Sequence, residues 1–265
     1  MKLVNTQEKA VIRKDFHEIW DSKMARSTLL IVPLILVVAV PIVFLAVTCN
    51  VPESQVNGME NIMKILPPEA KSFSIQQASF YIMTNMMFPM FFLMIPLMVS
   101  SVAAASSFVG EKERGTLEAL LLTPMSLKQI FKAKVLGCIF LSGIITAISF
   151  VAFAIVVTVG DILLQMPFFL NWSWLVLILF FAPVITVFGV VFMVCASAKS
   201  KSYVESVQTS GYIILPLLFL FLGEFAGLFL LNAIHFLILS AAVAVLDVLI
   251  WILAARSFQT EKLLS

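Results

Sequence analysis

Six long apolar stretches alternate with short polar segments along the chain, near Thr28 to Thr48, Phe80 to Ala105, Val135 to Val159, Leu175 to Ala196, Val207 to Leu222 and Ala233 to Ala255. A hydrocarbon core about 30 Å thick takes about 20 helical residues, and within it each backbone amide must be satisfied inside its own segment. Each stretch therefore predicts a membrane-spanning helix. The fifth is the least clearly bounded. Its apolar character continues past Glu224 to Leu231, so Gly223 to Asn232 reads as either a re-entrant turn or an exposed loop.

The polar segments carry patterns of their own. In residues 5–26, Val11, Ile12, Phe16, Ile19, Trp20 and Met24 recur at helical spacing with Lys and Arg on the remaining face, which predicts an amphipathic helix on membrane lipid. Asn5 followed by Glu8 resembles a capping box at its start. Residues 49–79 form a polar loop with Pro52, Gly58, Pro67 and Pro68, too short for a folded receptor domain.

Composition narrows the class. The chain of 265 residues is 61% hydrophobic and only 12% charged, against about 45–50% and about 25% in soluble domains. With a mean hydropathy of +1.07, a soluble domain and a disordered chain are both excluded. A net charge of +2 is too small for a nucleic-acid binder. Cys49, Cys138 and Cys195 are too few and too scattered for a disulfide framework.

The placement of charge sets an orientation. With the N-terminus inside, 15 of the 17 Lys and Arg residues fall on inner segments and only Lys64 and Lys71 fall outside. The positive-inside bias then predicts six spans of a plasma-membrane protein with both termini cytoplasmic. Glu53, Glu60, Glu69, Asp161 and Glu224 go to outer connections, and Trp172 with Trp174 to an outer interfacial belt. Lys128, Lys132 and Lys134 go to the headgroups of the inner face.

The inner loop, residues 106–125, holds the densest pattern. Glu111, Lys112, Glu113 and Arg114 form a turn of alternating charge. Gly115 then offers a sharp bend, and Thr116 caps a short helix with Glu118 in its first turn, where the helix dipole favours an acid. Pro124 stops it after Thr123, and Ser126 with Gln129 forms a second capping box leading into the third span. A compact, capped and charged knob of this kind suits docking into a groove on another protein.

These residues resemble the permease subunits of the ABC-2 superfamily of ATP-driven exporters. That family carries a Glu-x-x-x-Gly-Thr-x-Glu-x-Leu-x-x-Thr-Pro type signature between its second and third spans, matched here by Glu111, Gly115, Thr116, Glu118, Leu120 or Leu121, Thr123 and Pro124. The N-terminal helix with Lys14-Asp15 and Trp20-Asp21 and the six-span topology extend the likeness along the chain. In the motif it is similar to sodium-efflux permeases, but it departs from them in its outer loop of only about 30 residues. The resemblance implies an all-α membrane fold, one permease domain over residues 1–265, with a short cytoplasmic coupling helix. It also implies a dimer, homomeric or heteromeric, working with separate ATP-binding subunits. Glu111, Glu113, Arg114, Gly115, Thr116, Glu118, Thr123 and Pro124 would then couple to that partner, which would hold ATP and Mg while this chain binds no cofactor.

The rest of the chain fits that division of labour. No Gly-x-x-x-x-Gly-Lys-Ser/Thr phosphate loop and no catalytic or metal-binding motif occurs, and His17 and His235 stand alone. A charge inside a span costs at least about 2.5–3.5 kcal/mol, so Asp247 is a candidate for the translocation path or for pairing with a polar neighbour such as Gln208. Glu224 is a second candidate beside a plain solvated reading. Met83, Met87, Met90, Met94 and Met98 follow one helical face, with Met87 and Met94 as candidate path residues and core packing as the alternative. The small residues Ser100, Ser101, Ala103 to Ala105, Ser106 and Ser107 predict close packing above the loop. Two rival classes are a secondary transporter or channel, which more often shows inverted repeats and several buried charges, and a scaffold or sensor using the docking loop without transport.

Overall fold

A computed structural model describes residues 6–50, 72–113, 115, 124–197, 200, 202–225 and 231–257. Described secondary structure is helical throughout. Helix α1 (Thr6–Asp21) precedes six helices long and apolar enough to cross a membrane: α2 (Ala25–Asn50), α3 (Ile75–Glu113), α4 (Lys128–Leu163), α5 (Trp172–Ser197), α6 (Tyr203–Glu224) and α7 (Ala233–Ile252). The amphipathic segment expected to run to Arg26 ends at Asp21. There Ser22 adopts an extended conformation, accepts from the Ala25 amide at 3.4 Å and starts the next helix.

Several spans are interrupted in the same way. Pi-helical turns cover Ile35–Ala39, Met83–Met87 and Leu177–Phe181, and each ends two residues before a proline: Pro41, Pro89 and Pro183. The residue before each proline bonds the carbonyl five positions back: Val40 to Ile35, Phe88 to Met83 and Ala182 to Leu177. A proline has no N–H and its ring crowds the carbonyl four residues back, so widening the preceding turn relieves the clash and re-satisfies the backbone. The turn at Met83–Met87 also shifts the methionine register. Met83 and Met90 are buried, whereas Met87, Met94 and Met98 are partly buried.

Helix α3 is the axis of the bundle. It packs against α5, α4, α6 and α2, and 72% of its most apolar window is buried against 17% in α6 and α7. The small-residue run permits this: Ser100, Ser101, Ala103, Ala104, Ala105, Ser106 and Ser107 are all buried. Opposite them on α5, a Cβ at Gly189 would overlap the Ser100 hydroxyl and lie 3.1 Å from the Leu97 carbonyl. At 39 and 36 residues, α3 and α4 run to about 50–60 Å, well beyond the hydrocarbon thickness. Both helices therefore extend past the hydrocarbon.

The opposite end is closed by aromatic packing. Trp174, expected in an interfacial belt, is instead buried, its ring centroid 4.9 Å from Phe153, 5.8 Å from Phe169 and 5.9 Å from Phe92. Trp172 is the exposed member of the pair. Asp161, expected in an outer connection, is buried in the last turn of α4. It accepts from the Phe169 amide at 2.9 Å and thereby folds the α4–α5 turn back on the bundle.

Candidate functional site

Near the C-terminal end of α3 and the N-terminal end of α4, a buried ionic network ties α1 to both. Glu111, with no exposed surface, pairs through Oε1 with Lys14 Nζ and through Oε2 with Lys134 Nζ, each at 2.8 Å. Lys134 Nζ also donates to the Ser107 carbonyl at 2.9 Å and to Ser107 Oγ at 3.3 Å, and it lies 3.5 Å from Asp15 Oδ2. The Ser107 hydroxyl donates to the same Asp15 oxygen at 2.5 Å. Lys134 further sits 5.6 Å from the Phe108 ring centre, where the ring's negative face attracts it. Lys14–Glu18 at 3.3 Å and Lys132–Glu8 at 3.4 Å extend the network toward solvent.

The local folding explains the placement. On α1, Glu8, Val11, Asp15 and Ile19 share the face turned toward the bundle, at intervals of three and four, and all are buried. Lys134, expected at the headgroups, lies on a face of α4 that meets both α1 and α3 and is 2% exposed. Asp15, Glu111 and Lys134 thus leave water together while Lys14 stays partly exposed, which is tolerable only because each buried charge meets its counterpart. Burial is the largest influence on Asp15 and raises its pKa, against the lowering effects of Lys134 and the Ser107 hydroxyl. For Lys14, burial pulls the pKa down, but the hydrogen bond and attraction of Glu111, with Glu18, outweigh it and leave the group raised. Oxygens of Asp15, Glu18 and Glu111 come within 4.8 Å of one another, a spacing suited to a cation. The cations found between them are the ammonium groups of Lys14 and Lys134.

The charged turn expected from Glu111 onward is helical through Glu113. Glu113 Oε2 accepts from the Tyr203 amide at 2.9 Å and so caps the start of α6, beside Ser202, which accepts from Glu205 at 3.2 Å. Gly115 has φ +67°, and its amide donates to the Lys112 carbonyl at 3.3 Å, which ends α3. Among the described residues nothing lies within 4 Å of a Cβ built there, and the backbone angle calls for glycine. Pro124 is exposed ahead of Ser126, and Ser126 with Gln129 forms the expected capping box of α4. Arg114, Thr116, Glu118 and Thr123 lie outside the described residues.

The candidate path residues stay apart from this network. Asp247 is buried on α7, and its Oδ1 has no hydrogen-bond partner among the described residues. Gln208, its candidate partner, is exposed on α6. Glu224, read as solvated or as a path residue, is buried and accepts from the Leu231 amide at 3.1 Å, which ties the end of α6 to the residues just before α7. Met87 and Met94 are partly buried on α3. Sequence reasoning singled out Glu111 and missed Asp15, Lys134 and Ser107 as its companions. The available signal was Asp15 itself, a charge between Val11 and Ile19 at intervals of four on the buried stripe.

A family model described as an ABC-2 family transporter protein matches residues 9–257, nearly the whole chain. No curated protein and no solved structure gives a significant match.

Proposed function

Because the chain belongs to the ABC-2 transporter family, and so is a multi-pass permease component of an ABC transporter, we propose that it couples ATP hydrolysis on a separate subunit to export of a substrate. In this reading the segment 106–125 is cytoplasmic and seats in a cleft of the ATP-binding partner, which holds ATP and Mg. Both termini lie on the same side, residues 49–79 face outward, and two permease subunits work above two ATPases. Nucleotide binding closes the ATPase pair and moves the loop, and the two states differ in their affinity for ATP. Export as the direction rests on family likeness alone.

The observation that carries the reading is how the end of α3 is held. Glu111 joins α3 to α1 and α4, and Glu113 joins it to α6. A push on the adjoining loop therefore reaches four helices through charged, short-range links. Such links suit transmission of force better than a solvated turn would. Asp247 is proposed as a path residue, because a buried carboxyl oxygen without a partner among the described residues is available to a substrate or to a second subunit.

The test is co-purification with the ATP-binding subunit expected from the neighbouring reading frame, followed by ATPase and transport assays of the reconstituted complex. Gly115→Val, which needs a backbone angle that β-branched residues avoid, is expected to leave assembly intact and to uncouple ATPase from transport. Gly115→Asn, which tolerates that angle, is expected to keep coupling. Normal coupling in Gly115→Val would overturn the role of the loop.

A further inference from the structure

A groove of about 420 Å³ opens between α1 and α4, lined by Lys9, Ile12, Arg13, Phe16, Gly137 and Phe140 among others. Its wall on α4 continues through Leu141 to Ile144, seven residues beyond Gly137 or about 10 Å of helical rise. Phe140 and Ile144 are both more than half exposed. Gly137 keeps the floor open, since a Cβ there would already rest on Ile12 at 3.6 Å. On α4 the groove starts at Gly137, three residues past Lys134, and runs toward the apolar middle of the span.

Its charge is as directional as its shape. Lys14, Lys132 and Lys134 are all paired with carboxylates. Lys9 and Arg13, one turn apart at the mouth of the groove, are exposed and have no ion-pair partner among the described residues. Asp15 also lines the groove, but its carboxylate is engaged by Ser107 and Lys134. Two uncommitted cations above an apolar trough match the phosphate and acyl chain of an anionic lipid.

We infer that this groove holds one anionic phospholipid of the leaflet on which α1 lies, with its phosphate on Lys9 and Arg13 and an acyl chain along Phe140 and Ile144. The lipid completes the seat of α1 on α4, filling the side of the contact that the ionic network leaves open. This assignment does not depend on what the protein transports.

Native mass spectrometry of the full chain, carrying either phosphatidylglycerol or phosphatidylcholine with identical acyl chains, tests it. One phosphatidylglycerol is expected to be retained more tightly than phosphatidylcholine at low ionic strength. Lys9→Gln with Arg13→Gln, two exposed changes that spare the core, should weaken that retention about 25-fold, at about fivefold for each cation lost. Gly137→Leu should also abolish it with both cations still present, whereas Lys128→Gln, on the same end of α4 but outside the groove, should leave it unchanged. Equal retention of the two lipids, or undiminished retention in the double variant or in Gly137→Leu, would overturn the assignment.

Discussion

Removing Lys134 tests whether the ionic network holds α1 in place. In Lys134→Met the apolar volume is largely kept, but Glu111 Oε2, Asp15 Oδ2 and the Ser107 carbonyl lose their shared cation. Glu111 keeps Lys14 at 2.8 Å, so the burden falls on Asp15, which is 3% exposed. Stripping a partner from a buried pair costs about 3–5 kcal/mol. The carboxyl has one escape, which is to take up a proton, at a cost of about 4 kcal/mol at pH 7 for an acid of ordinary pKa. The penalty is therefore capped near about 4 kcal/mol at neutral pH and shrinks by about 1.4 kcal/mol for each unit the pH falls. If α1 opens by leaving α4, its amides should exchange about a hundred- to a thousandfold faster in the variant, as read by hydrogen–deuterium exchange of the full chain. Asp15→Asn in the Lys134→Met background should recover most of that protection, because it removes the stranded charge. Unchanged exchange in Lys134→Met, or no recovery in the double variant, would refute the reasoning.

Other consequences follow from the same geometry. Glu113→Ala should loosen the first turn of α6 by about 1 kcal/mol, the usual worth of a helix cap. Faster exchange should appear at Tyr203 and its neighbours but not in α1, and Glu113→Gln should largely restore it. Gly189→Ala drives a methyl into the Ser100 hydroxyl and should cost about 1–3 kcal/mol as overpacking, seen as a lower Tm, with partial recovery when Ser100→Ala is added. Lys14 gives the pH dependence: its pKa is raised in the folded protein, so its contribution is fully present below the unfolded value near 10.5 and is lost as pH rises through the folded one. Thermal stability of the wild type should therefore fall more steeply above pH 10.5 than that of Lys14→Met.

Hydropathy gave six spans readily, because a lipid solvent forces each helix to be long, apolar and internally bonded. Local chemistry was legible as well, in the capping box at Ser126 and Gln129 and in the small residues of α3 that let Gly189 approach. What sequence could not supply is pairing. Residues 111 to 113 are all charged and look like a water-exposed turn, yet they continue α3 because Glu111 finds Lys14 and Lys134, which lie 97 and 23 positions away. The same holds for Glu224 and Asp161, which satisfy backbone amides across a fold of the chain. Trp174 was misplaced for the reverse reason: an amphipathic ring beside Asn171 looks interfacial until four phenylalanines close over it. The prolines were more informative than their positions first suggest, since Pro41, Pro89 and Pro183 each mark a widened turn, and the one before Pro89 breaks the regularity of the methionine stripe.

The central claim is that the segment joining α3 and α4 meets an ATP-binding subunit. A photo-crosslinker installed at Lys112, an exposed position next to Glu111 of the ionic network, tests it most directly in the co-purified complex. The account predicts a crosslink to the ATP-binding subunit whose yield changes between the ATP-bound and nucleotide-free states. An intact complex with no crosslink from this position, in either state, would contradict it.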